Sequence, residues 1–128
     1  MSLKFKSIEK GQPGITGGGE KKWYAQIVFD EEVTMDELVQ EIEKFSSLTE
    51  PDIRGVLTAF ENVIQNKLAA SRIVRMERIG SFYPALSSNG EAEESAVSAT
   101  SIRKVSVNYR PGDRIIKALK DAGFKKVV

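Results

Sequence analysis

The chain has 128 residues, 41% hydrophobic and 29% charged, with a formal net charge of +1. It holds no cysteine and no histidine, which excludes disulfides, thiolate metal sites and every histidine-based catalytic constellation. No apolar run approaches the 18 or so residues that span a bilayer, and Met1–Lys6 has no apolar signal-peptide core, so a soluble intracellular, non-enzymatic protein is expected.

Leu3, Phe5 and Ser7 alternate with Lys4, Lys6 and Ile8, which predicts a strand. Gly11-Gln12-Pro13-Gly14 and Gly17-Gly18-Gly19 predict a loop. Trp23–Phe29 is aromatic and β-branched and predicts a second strand, a hairpin partner of the first. Thr34-Met35-Asp36-Glu37 fits a capping box, and Met35, Leu38, Val39, Ile42 and Phe45 form one helical stripe behind it. After Ser46-Ser47-Leu48, Thr49 is expected to cap a second helix with Pro51 in its first turn. Its apolar face runs from Ile53 to Leu68, so the two helices read as an αα-hairpin.

From Arg72 the period is two. Arg72–Met76 and Gly80–Leu86 read as strands, Asn89-Gly90 as a turn, and Glu91–Thr100 as a loop or protruding ribbon without core-forming content. Val105, Val107 and Tyr109 mark a further strand, broken by Pro111-Gly112. Asp113–Ala122 is a last helix, with Gly123 as its C′ residue. The expected class is α+β, with an N-terminal β-hairpin extension over 1–33 and a second part over 34–128 that completes one compact domain.

Charge is unevenly spread. Residues 1–29 carry five Lys against two Glu, residues 30–62 ten acids against two bases, and residues 101–128 eight bases against two Asp. Such polarity suits one basic face for a polyanion and one acidic face turned away from it.

Arg78-Ile79-Gly80-Ser81-Phe82 resembles the turn between strands of the histone-like HU/integration host factor family. Val107-Asn108-Tyr109-Arg110-Pro111-Gly112, followed by Ile116-Lys117-Ala118-Leu119-Lys120-Asp121-Ala122, resembles that family's Pro-Gly turn and closing helix. The resemblance covers roughly residues 34–123, and the whole chain is similar to the HU-like variant of Bacteroidetes. It implies an intertwined bacterial homodimer whose sheets form a DNA-binding saddle, cytoplasmic and nucleoid-associated, with no cofactor, membrane or small-molecule substrate. Family arms are basic and tipped by a proline that enters the DNA stack. Here residues 85–102 hold three Glu, no base and no Pro. The expected contact surface is therefore the saddle: Arg72 and Arg75 on one strand, Arg103 and Lys104 at the return of the arm, and Arg110, Arg114 and Lys117 around the last helix. The resemblance implies non-specific phosphate contacts there, steeply salt-dependent. The alternative is an HU-fold interaction or dimerisation module without DNA affinity, a reading to which the acidic arm and near-zero net charge point.

Other patterns are weaker. Ser101-Ile102-Arg103-Lys104 matches a Ser-x-x-Lys spacing but falls on an expected strand, where the two side chains face apart. Gly17-Gly18-Gly19-Glu20-Lys21-Lys22 lacks phosphate-loop spacing. Glu31 and Glu32 read as solvated acids of a first turn or loop, and Trp23, Tyr24 and Phe29 as one strand with a buried side rather than base-stacking groups.

Overall fold

A computed structural model describes residues 1–12 and 14–127. Pro13 of the expected glycine-rich loop and Val128 lie outside the described residues. The chain divides into two compact units, one of residues 1–34 with 116–128, the other of residues 35–115.

In the first unit, β1 (Leu3–Lys10) is the middle strand. It pairs antiparallel with β2 (Lys22–Ile27), in a register that sets Phe5 against Ile27 and Lys10 against Lys22. The third strand, β6 (Phe124–Lys126), runs parallel to β1 with Leu3 opposite Phe124. Three residues at the C-terminus carry no strand signal of their own, so the sequence reading missed β6. The turn into it uses Gly123 at φ +73°, a left-handed position that glycine takes at no steric cost. The Leu3 amide then donates to the Gly123 carbonyl at 2.8 Å, which ties the two termini together. One sheet face carries Leu3, Phe5, Ile27 and Phe124; the other carries the lysines of β1.

In the second unit, α1 (Met35–Lys44) and α2 (Glu50–Ala69) form the expected hairpin. Arg54 on α2 joins them, donating at 2.7 Å to Asp36 of α1 and at 3.1 Å to Glu50 of its own first turn. The expected side-chain cap at Thr49 is not formed. Its hydroxyl donates to the Asp52 carboxylate at 2.8 Å, and the Thr49 carbonyl accepts the Ile53 amide instead. Among the described residues only Val39 and Ile53 are buried apolar side chains, while Met35, Leu38, Phe45, Val56, Phe60 and Val63 remain exposed.

The far end of α2 closes with two bonds: the Ser71 amide reaches the Leu68 carbonyl and the Arg72 amide the Lys67 carbonyl. This is a Schellman motif with Ser71 at φ +63° where glycine is usual. It takes Arg72 and Ile73 out of the expected strand, so β3 is only Val74–Met76.

β3 pairs with β4 (Gly80–Ser88), and β4 with β5 (Ile102–Pro111), all antiparallel. The β3–β4 turn is held from β5's end. Ile79's carbonyl accepts the Tyr109 hydroxyl at 2.6 Å and the Gly112 amide at 3.1 Å. Gly80 sits at φ +128°, and a Cβ there would run into the Arg110 carbonyl oxygen. The motif residues around Gly80 therefore share one job, the close approach of β4 to the β5 end. α3 (Asp113–Ala122) follows.

The arm between β4 and β5 is built on itself. The Asn89 amide donates to the Ser101 carbonyl, the Ser98 amide to Ser101 Oγ, and Ser101 Oγ to Glu91 Oε1 at 2.9 Å. Ser101 is buried although no apolar side chain of the arm is. It ends a short helical turn, Ala99–Ser101, ahead of β5 rather than on the strand expected for it.

Candidate nucleic-acid interface

Strand alternation divides the three-stranded sheet of the second unit into two unlike faces. On one, Val74, Met76, Phe82, Leu86, Val105, Val107 and Tyr109 lie together by register. The Phe82 and Tyr109 rings stack at 5.2 Å between centroids. Val105 and Val107 remain 78% and 53% exposed, so the β5 side of this face stays open to solvent in the chain, while Val74, Met76 and Phe82 are half-buried.

The other face is polar and basic. Arg75 on β3, Ser81 on β4 and Arg110 on β5 form a single row across the sheet, because Ser81 is the register partner of both arginines. One row further, Tyr83 stands opposite Asn108. The Arg110 guanidinium lies 5.0 Å from the centre of the Tyr83 ring. Hydrogen bonding to Arg75 holds the Tyr83 phenol below its ordinary pKa; desolvation opposes this, and the Arg110 charge acts in the same sense as Arg75. Tyr83 thus stands on the middle strand between two arginines of the flanking strands, with the Arg110 guanidinium against its ring. Lys104 lies on the same face opposite Ser87, six residues or about 20 Å along β5 from Arg110.

Of the residues expected to form the site, this arrangement joins Arg75, Arg110 and Lys104 on one face. Arg103 occupies the irregularity between Ser87 and Ser88 where the register slips, so it is displaced from the ladder at the base of the arm. Arg72 belongs to the close of α2 rather than to Arg75's strand. Arg110 is on β5, not on the last helix, while Arg114 is in the first turn of α3. Lys117 falls in the other unit and pairs with Asp121 at 2.6 Å. Sequence reasoning missed Tyr83 and Ser81. Their signal was the alternation of β4, which sets them on the arginine side as soon as the β3–β4 register is known.

Ser101 of the Ser-x-x-Lys spacing is committed to Glu91. Among the described residues no group of three acidic side chains could hold a metal ion, and no helix is long and apolar enough to cross a membrane. Trp23 and Tyr24 occupy opposite faces of the first unit's sheet, and Trp23 is exposed rather than buried.

No curated protein matches the chain. Among solved structures it is similar to a Bacteroides vulgatus ATCC 8482 protein described provisionally as a bacterial DNA-binding protein. The TM-score is 0.72 at 13% identity, over 98% of this chain and 48% of the other, so the chain spans about half the length of that structure. The likeness is one of fold. A family model, HU-HIG, described as an HU domain fused to wHTH, Ig, or Glycine-rich motif, matches residues 1–126. With nearly every residue inside that match and the Gly80 and Pro111-Gly112 turns serving the same sheet, the chain belongs to the HU-HIG family of HU-like proteins.

Proposed function

We propose that this chain is a non-enzymatic architectural protein that binds duplex DNA without sequence preference, as a homodimer. The observation that carries the reading is the basic sheet face, with Arg75 and Arg110 on the strands either side of Tyr83 and Lys104 further along. Guanidinium groups gathered on one polar sheet face suit phosphate oxygens, which position a duplex but carry no sequence information. Family membership and the fold of the B. vulgatus protein, itself described provisionally as DNA-binding, support the same reading.

The homodimer rests on surface. The chain exposes 10837 Å². A 14.2 kDa globular monomer exposes about 6,800 Å², and two separate globules of half that mass together about 8,200 Å². The surplus is rich in apolar side chains on the helices and on the Val105–Tyr109 face, which a second copy would cover.

The test is Arg75→Glu with Arg110→Glu, read by fluorescence anisotropy on a labelled 30-base-pair duplex at about 50 mM salt. Loss of binding with the dimer intact is expected; unchanged binding removes this face from the function. A second reading, an HU-fold interaction module without DNA affinity, is favoured by the arm, whose Glu91, Glu93 and Glu94 would face phosphates with like charge. Absence of wild-type binding at the lower salt would select it.

A further inference from the structure

We propose a second DNA-backbone contact on the first unit's sheet, made by Lys6, Lys10 and Lys22; it rests on the DNA-binding reading above. The register sets Lys6 opposite Gln26, Ile8 opposite Tyr24 and Lys10 opposite Lys22, so these side chains share one face. All three lysines are exposed. None makes an ion pair among the described residues, whereas Lys4 at the end of the same row is neutralised by Asp30 at 2.7 Å. No strand residue on this face is acidic; Glu9 points to the other side with Trp23.

Two features make this more than a solvated strand. Directly opposed like charges destabilise a strand pair, and Lys10 against Lys22 is such a pair. A polyanion laid across the sheet would relieve that repulsion. The second feature is Tyr24. Lys10 Nζ stands 5.0 Å above its ring centre, a cation–π contact that holds the ammonium over the sheet. An ammonium seated over the ring competes with an unstacked base for it, so the tyrosine serves the lysine rather than base stacking. The occupant this chemistry fits is the phosphate backbone of a duplex. Lys6 and Lys10, four residues apart, stand about 13 Å from one another along the strand, enough to meet separate phosphates.

The experiment compares the full chain with its Lys6→Gln/Lys10→Gln/Lys22→Gln variant, by anisotropy on the 30-base-pair duplex between about 50 and 200 mM salt. Loss of three phosphate contacts lowers the salt slope by about 2.7 per engaged protomer, so the drop in affinity across that range shrinks about 40-fold. The triple Lys→Arg variant should keep the wild-type slope, and Lys44→Gln/Lys67→Gln/Lys120→Gln should leave it unchanged. An equal fall in that second glutamine variant would mean bulk charge only, and overturn the proposal. A wild-type slope in the first variant, while Arg75→Glu/Arg110→Glu loses binding, overturns this site alone. If the first variant keeps DNA affinity but sediments as a smaller species, the face meets another copy's acidic surface and the proposal falls. Absence of binding by the wild type removes the underlying reading and this site together.

Discussion

Replacing Val107 by aspartate tests whether a second copy covers the apolar sheet face. Val107 is 53% exposed in the protomer, beside the 78% exposed Val105 and opposite Pro84. If the face stays open to water, the change is a surface substitution worth within about 0.5 kcal/mol. If a partner covers it, two terms arise in each protomer. Burying the exposed half of a valine contributes about 1 kcal/mol, which the variant forfeits. An unpaired carboxylate taken out of water then costs several kcal/mol more. Two copies together exceed about 5 kcal/mol, a weakening of the dimer by more than about a thousandfold. Sedimentation velocity over a micromolar concentration series reads this directly, with Asn108→Asp as the control. Asn108 is the next residue on the same strand and faces the basic side. The expected outcome is a monomeric Val107→Asp and a dimeric Asn108→Asp. A dimer in both, or a monomeric wild type throughout the series, would refute the reasoning.

Tyr83 should ionise below the ordinary tyrosine pKa of 10.0 in a titration followed by ultraviolet absorbance. Its phenolate is favoured in the fold first by the Arg75 hydrogen bond and then by Arg110, so its folded pKa lies below the unfolded one. That stabilisation is complete above the unfolded value of 10.0 and is lost as pH falls through the folded pKa; Tyr83→Phe should remove the early phase and Arg75→Gln should move it upward. Ser71→Gly should raise thermal stability, because a left-handed serine costs about 1–2 kcal/mol and the extra freedom of an unfolded glycine returns only part of that, a net gain of about 0.5–1 kcal/mol. A lower unfolding midpoint for this variant would show that the Ser71 side chain contributes something the backbone account omits.

Local pattern was enough for most of the elements. A helical stripe such as Met35–Phe45 and an alternation such as Val105–Tyr109 are properties of neighbouring residues, and so are the Pro111-Gly112 break and Gly123 at the end of α3. The sequence also delivered the charge asymmetry and the family resemblance that the HU-HIG match bears out. What it did not deliver depends on pairing. β6 exists only because β1 offers it an edge, and Arg72 leaves the strand only because α2 closes through Ser71. A period of two says that Arg75, Tyr83 and Arg110 each sit on one side of their own strand. Register alone decides that the three sides are the same, because slipping one strand by a single residue would turn its side chains to the opposite face. The opposition of Lys10 and Lys22 is fixed in the same way, across a loop whose length does not set it. The chain's own residues therefore determined which segments are helix and strand and where charge accumulates; tertiary pairing determined which charges stand together, since that follows from hydrogen bonds between strands distant in sequence.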